Sequence, residues 1–161
     1  MSFFERVSVT LNGWIEYLLF GLGFTMTVVV AVQVFFRYVL NQSLFWSEEL
    51  ARYLLVWLSF LGASVAYRRR AHPGIDILYA KMPAAVQKMA TTAVHLASLA
   101  MFAVMIVYGC RFAYFVRLQI SPALYISKWI IFSIIPISGG ILMLHGVNFL
   151  LQTLAGNDRD D

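Results

Sequence analysis

Apolar residues fill four long stretches of the chain, and charged residues mark where each stretch stops. Between charged residues, the uncharged runs 17–36, 53–67, 89–110 and 129–157 contain 20, 15, 22 and 29 residues. A helix needs about 20 apolar residues to cross a bilayer. The second run reaches that length only if its helix extends from Ser47 to Arg68. The pattern predicts an all-α integral membrane protein with transmembrane helices at 15–39, 47–68, 86–112 and 127–152.

The composition supports this fold class. Hydrophobic residues make up 61% of the 161 residues and charged residues 12%, whereas a soluble domain carries about 25% charged residues. We therefore expect residues 1–161 to form a single membrane domain. The first apolar run is too long for a signal-peptide core and lacks a small-residue cleavage site, so we expect it to be retained as a span. Cys110 is the only cysteine, so an internal disulfide is excluded.

Charged residues occupy the opening turns of the second predicted helix, "FWSEELARYLLVWL" at 45–58. Ser47 is a favourable N-cap residue, and acidic residues directly after it suit the positive end of the helix dipole. Arg52 follows Glu48 and Glu49 at the spacings that let side chains meet on one helix face. We predict a charge cluster at the helix end, with a structural or docking role, and not an ion site. It comprises Arg37, Trp46, Ser47, Glu48, Glu49 and Arg52.

The basic residues predict the orientation. With four spans, the two termini and the second loop share one side, which carries seven of the twelve Lys and Arg residues. Arg68, Arg69 and Arg70 form a block in a short loop, the position that the positive-inside rule weighs most. Both termini are therefore predicted to be cytoplasmic, with the charge cluster at the outer face. The basic residues lie near span ends, so a nucleic-acid partner is not expected.

The loop between spans two and three is predicted to contain a short amphipathic helix lying in the inner interface. Its apolar stripe has the spacing i, i+3, i+4, i+7 and consists of Ile75, Leu78, Tyr79 and Met82. His72 and Asp76 lie in the same loop. Two possible ligands do not make a metal site, so we assign both residues a structural role at the inner interface.

Three ionisable residues raise alternative functions. Glu16 at the start of the first span is similar to the carboxylate of small multidrug exporters, which leaves an autonomous small multidrug or cation transporter as an alternative, although Glu16 lies at the edge of the apolar run and can reach the headgroups. His95 and His145 lie at compatible depths in spans three and four, which leaves a haem-b membrane anchor as an alternative, although a single histidine on a helix is more often simply hydrogen-bonded. No nucleophile with its base, phosphate loop or metal cluster is present in the sequence, so an enzyme and a bound cofactor are not expected.

Small residues in spans two and four predict close helix packing. The residues concerned are Gly62, Ala63, Ser64, Gly139 and Gly140. Pro136 is predicted to bend the fourth span.

Residues 45–78 resemble the signature region of the small membrane subunit of tripartite ATP-independent periplasmic (TRAP) transporters. The resemblance covers about 35 residues and includes Arg37-Tyr38 before them; Pro73-Gly74 is a small departure after the histidine. The matching residues are Trp46, Glu48, Glu49, Leu50, Arg52, Tyr53, Trp57, Gly62, Ala63, His72 and Asp76.

The resemblance implies a scaffold subunit in a bacterial inner membrane. In such systems a periplasmic binding protein captures an organic acid, commonly a C4-dicarboxylate or a sialic acid. A large multispan subunit then moves the acid inward by symport with sodium. The small subunit packs against the large one and stabilises it, and the substrate and sodium sites belong to the large subunit. The implied partners are these two proteins and membrane lipids.

Overall fold

The computed structural model describes residues 3–69 and 84–154, which are predominantly helical. The helices are α1 (Phe3–Tyr38), α2 (Phe45–Arg68), α3 (Ala84–Phe115), α4 (Lys128–Phe132) and α5 (Ile134–Leu154). Four segments are long and apolar enough to cross a membrane: Ser8–Tyr38, Phe45–Arg68, Met89–Phe115 and Lys128–Thr153. The predicted all-α fold with four membrane spans is confirmed. The predicted amphipathic helix, together with Arg70, His72 and Asp76, lies outside the described residues.

The helices form two antiparallel pairs. α1 packs against α2, α3 packs against α5, and contacts between α2 and α5 join the pairs. The buried core lies where they meet and contains Ile15, Leu61, Val65 and Ile134. Connections 39–44 and 116–127 lie at one end of the bundle, which we call the loop end. The beginning of α1 and the ends of α2 and α5 lie at the other, the terminus end.

Glycines allow α3 and α5 to approach each other closely. A Cβ atom added to Gly109 would lie 2.9 Å from Pro136 Cδ, and one added to Gly139 would lie 3.0 Å from Ile106 Cγ1. A Cβ on Gly146 would similarly meet the Leu99 side chain at 3.0 Å. These distances are below normal carbon–carbon contact, so three glycines provide the space for the facing helix.

The residues predicted to pack helices have different surroundings. Gly139 lies in the α3–α5 contact, and Ser64 is fully buried and donates to the Leu61 carbonyl at 2.7 Å. A Cβ on Gly62 or Gly140 would have no atom within 4 Å, and Ala63 is exposed. The described part of the chain therefore does not use Gly62, Ala63 or Gly140 for close packing, because they face away from its other helices.

The fourth span is interrupted between α4 and α5. Pro136 has no N–H to donate to the carbonyl four residues earlier, and its ring crowds that turn. A one-residue break at Ser133 separates α4 from α5, next to the carbonyl that Pro136 cannot engage, and the bend predicted from Pro136 stays a prediction. Trp57 Nε1 donates to the Ile131 carbonyl at 3.2 Å, and Ser138 Oγ donates to the Phe60 carbonyl at 2.8 Å. These two bonds connect α2 to both sides of the break.

Candidate functional site at the two ends of the bundle

The first turn of α2 begins earlier than the sequence predicts. The helix starts at Phe45, and the preceding Leu44 makes no side-chain cap hydrogen bond. Ser47 is fully buried, and its hydroxyl donates back to the Leu44 carbonyl at 2.6 Å. The predicted N-cap role of Ser47 is wrong, because the residue is already inside the first turn.

Glu49 connects α2 to the loop between α3 and α4. Its carboxylate accepts hydrogen bonds from the hydroxyls of Ser121 and Tyr53, and from the Ala123 backbone N–H at 2.8 Å. Ser121 is fully buried, and its N–H donates to the Ile126 carbonyl at 2.9 Å. One carboxylate therefore satisfies three donors and holds connection 116–127 against the start of α2.

Glu48 points to a different partner. Its Oε1 lies 3.7 Å from Arg37 Nη1 and accepts a hydrogen bond from Gln33 Nε2 at 3.2 Å. Both members of the ion pair are more than half exposed. In the described ranges, no salt bridge joins Arg52 to either glutamate. The expected pairing of Arg52 is wrong, because Glu48 turns to α1 and Glu49 turns to connection 116–127.

The predicted charge cluster thus divides between two faces of α2. Glu49, Tyr53 and Trp57 are spaced by four residues and face the segment that includes connection 116–127 and α4. Glu48 and Arg52 are exposed. Glu49, Tyr53 and Trp57 make contacts within the chain, whereas Glu48 and Arg52 remain accessible. The docking role therefore stays a prediction for the exposed residues alone.

Glu16 is part of a polar network at the terminus end. Its Oε1 lies 2.8 Å from Arg69 Nη2 and accepts a hydrogen bond from Asn12 Nδ2 at 2.6 Å. The ion pair connects α1 to the end of α2. Sequence spacing gives no signal for this partner, because Arg69 lies 53 residues from Glu16.

His145 extends the network to α5. Its ring is 1% exposed, and Nδ1 lies 2.8 Å from the hydroxyl of the fully buried Ser8. Arg68 also donates to Ser8. The His95 ring instead contacts Phe149, with ring centroids 6.2 Å apart. His145 thus contacts α1, and His95 contacts the aromatic ring one turn beyond His145 on α5.

Residues 26–156 match the family described as "Tripartite ATP-independent periplasmic transporters, DctQ component". The sialic acid TRAP transporter permease protein SiaT of Haemophilus influenzae is 30% identical over 143 residues, or 89% of this chain and 22% of SiaT. The isethionate TRAP transporter permease protein DctMQ of Oleidesulfovibrio alaskensis is 26% identical over 164 residues, or 91% of this chain and 25% of DctMQ.

A smaller relative matches over most of both chains. The sialic acid TRAP transporter small permease protein SiaQ of Vibrio cholerae is 28% identical over 123 residues, or 74% of this chain and 68% of SiaQ. By contrast, this chain spans only about a quarter of SiaT and of DctMQ. The family match covers α2 through α5 and the last third of α1. It includes the charged residues at the loop end, whereas Ser8, Asn12 and Glu16 of the terminus-end network precede it. The chain belongs to the DctQ component family of the tripartite ATP-independent periplasmic transporters.

Proposed function

We propose that this chain is the small scaffold subunit of a sodium-driven, binding-protein-dependent transporter for organic acids. The family match over residues 26–156 is the observation that carries the proposal. In this role the chain packs against a large transport subunit and stabilises it within the membrane. Substrate and sodium bind to the large subunit, and a periplasmic protein delivers the substrate.

The exposed apolar surface supports packing against another membrane subunit. α1 and α3 have few buried residues, although both are membrane spans. Aromatic side chains with more than 60% exposure follow one another along α1: Trp14, Tyr17, Phe20 and Phe24. Such surfaces face either lipid or a neighbouring helix. We propose that the open positions Gly62 and Gly140 mark where helices of the large subunit approach closely.

The relatives support both the partner and the substrate class. In SiaT and DctMQ the matched region is about a quarter of a longer permease, which is consistent with a four-span unit that acts beside a larger membrane region. Their names give sialic acid and isethionate as substrates, and both are organic anions. We propose an organic anion as the substrate here, with carboxylates as the first class to test.

The orientation is part of the proposal. Seven of the twelve basic residues, including the arginine block 68–70, belong to the side that carries both termini. This bias favours cytoplasmic termini in the inner membrane, with the loop end facing the periplasm. The exposed pair Arg37 and Glu48, together with Arg52, would then lie where a periplasmic binding protein docks.

Co-purification tests the proposal most directly. The chain, carrying an affinity tag, is expressed together with the permease and binding-protein genes adjacent to its own gene. We expect a large multispan subunit to co-purify, and the complex to take up the binding protein's ligand into proteoliposomes only with an inward sodium gradient. A chain that purifies alone under these conditions would refute the scaffold role. Uptake without sodium would refute only the driving force.

A matched pair of variants tests the packing surface. Gly140→Leu places a large side chain on the open position, whereas Ala63→Leu does so on an exposed position of α2. If Gly140 meets the large subunit, Gly140→Leu reduces co-purification while the isolated chain remains folded. Equal recovery of the complex from wild type and Gly140→Leu would exclude this position from the interface.

A further inference from the structure

Tyrosine and arginine alternate along one ridge at the loop end of α3. Tyr108, Arg111 and Tyr114 are spaced by three residues, the spacing of a side-chain row on a helix surface, and Arg117 follows at the same spacing in the turn after α3. All four are exposed. Arg111 Cζ lies 5.8 Å from the Tyr108 ring centroid, and Arg117 Cζ lies 3.6 Å from that of Tyr114. Each guanidinium is therefore oriented by the tyrosine that precedes it.

Lys128 adds a third cation beside this ridge. Ser127 Oγ donates to the Arg117 carbonyl at 2.5 Å, so the start of α4 lies next to the end of the ridge. The Lys128 N–H and Nζ donate to the Gln119 carbonyl and Oε1 at 2.9 and 3.2 Å. We call Tyr108, Arg111, Tyr114, Arg117 and Lys128 the basic ridge.

Among the described residues, no carboxylate forms a salt bridge with a cation of the basic ridge. Residues 84–154 contain no Asp or Glu. Within the described ranges, neither arginine nor Lys128 takes part in a salt bridge. Glu49, the carboxylate that approaches connection 116–127, already accepts hydrogen bonds from Ser121, Ala123 and Tyr53. Arg111, Arg117 and Lys128 are therefore three cations at one membrane boundary without a carboxylate partner in the described chain.

We propose that the basic ridge binds the headgroup of an anionic phospholipid at the loop end of the bundle. The span ends at Phe115, so the ridge runs from the apolar region into the headgroup region. Tyrosine favours that interface, and arginine extends its charged group toward it while its stem covers apolar surface. A guanidinium forms paired hydrogen bonds with phosphate oxygens, and a net negative headgroup supplies the missing charge.

The neighbouring apolar side chains favour a lipid over an acidic protein surface. Leu118 and Tyr125 are each 82% exposed, and Ile120 is 62% exposed, on a connection that Glu49 holds in place. Apolar side chains beside interfacial cations are the arrangement with which proteins enter the headgroup boundary. Because the connection is already ordered, binding orders few additional protein groups.

Lipid selectivity tests the proposal independently of transport. The full chain is reconstituted in bilayers containing a trace of spin-labelled phosphatidylglycerol or phosphatidylcholine, and electron paramagnetic resonance measures the fraction of motionally restricted lipid. We expect phosphatidylglycerol to associate more strongly, on the order of fivefold for each contributing cation at low salt. The triple variant Arg111→Gln, Arg117→Gln, Lys128→Gln should remove this preference. The control Arg52→Gln, an exposed arginine at the same end, should retain it.

A charge-retaining variant separates lipid binding from loss of fold. Arg111→Lys with Arg117→Lys keeps both charges and should preserve most of the phosphatidylglycerol preference. Equal association of both lipids with wild type would overturn the proposal, as would an unchanged preference in the triple variant. If the triple variant instead loses only its co-purifying subunits and keeps wild-type lipid selectivity, the ridge binds an acidic protein surface and the proposal is wrong.

Discussion

Gly139 and Gly140 are adjacent in sequence but have opposite surroundings, which permits a matched test of the α3–α5 contact. A Cβ on Gly139 would lie 3.0 Å from Ile106 Cγ1, 3.2 Å from Met105 Cβ and 3.3 Å from the Ile106 backbone nitrogen. A Cβ on Gly140 would meet no atom within 4 Å. Gly139→Ala must displace the facing helix α3, whereas Gly140→Ala adds no contact within the described chain.

The expected magnitudes follow from these distances. Carbon atoms pack favourably at about 3.5–4.0 Å, so the Gly139 contacts are short by several tenths of an ångström. Two of the opposing atoms, Met105 Cβ and the Ile106 nitrogen, are fixed to the α3 backbone and cannot rotate away. Overpacking costs about 1–3 kcal/mol. Both substitutions gain about 1 kcal/mol of helix propensity in aqueous scales. Gly139→Ala should therefore be less stable than Gly140→Ala by about 1–3 kcal/mol.

Thermal unfolding of the purified chain in one detergent measures this difference. At about 2–4 °C per kcal/mol for a chain of this size, the apparent Tm of Gly139→Ala should lie about 2–12 °C below that of Gly140→Ala. Gly109→Ala, with three contacts at or below 3.0 Å, should be at least as destabilised as Gly139→Ala. Equal Tm values for the Gly139 and Gly140 variants would refute the close packing of α3 on α5.

Further predictions concern α2 and its contacts. Glu49→Ala should increase amide hydrogen exchange in connection 116–127, because three donors lose their acceptor, whereas Glu48→Ala should not. Ser138→Ala removes a buried interhelical hydrogen bond and should lower the unfolding free energy by about 0.5–1.5 kcal/mol; an unchanged value would mean that this bond adds nothing. Arg52→Ala should leave stability within about 0.5 kcal/mol of wild type, so reduced binding-protein affinity in this variant would indicate docking. Neutralising the arginine block 68–70 should weaken the orientation bias, and unchanged cysteine labelling on both sides would refute that expectation.

The four spans could be predicted from sequence because lipid imposes a strong and local requirement. A crossing helix must be apolar over about 20 residues, and charges mark where it leaves the hydrocarbon region. The start of α2 was predicted two residues too late, because local capping preference favours Ser47 whereas the helix begins at Phe45. The buried Ser47 hydroxyl donates a hydrogen bond to the Leu44 carbonyl, three residues earlier. Residue spacing alone does not distinguish this arrangement from an N-cap.

The partners of the charged residues could not be predicted, because they are distant in sequence. Helical spacing shows that Arg52 can meet Glu48 and Glu49. It does not show that Ser121, 72 residues away, offers Glu49 a hydroxyl, or that Ala123 offers a backbone N–H. His145 and Ser8 are separated by 137 residues. Such pairs depend on which helices become neighbours, and apolar periodicity in a membrane protein gives little information about that, because lipid-facing and helix-facing residues are equally apolar.

The polar side chains at the start of α2 fall into two groups, one that forms hydrogen bonds within the chain and one that is exposed to other proteins. Glu49 accepts and Trp57 donates a hydrogen bond within the chain. Substitution of either residue therefore disturbs the fold before it affects any partner. Arg52 and the Arg37–Glu48 pair are exposed, so substitutions there leave the internal bonds intact. A transport defect therefore has a different cause when an internally bonded residue is substituted than when an exposed one is. With Glu49→Ala it follows from a loosened connection 116–127, whereas with Arg52→Ala in a stable chain it indicates lost contact with a partner.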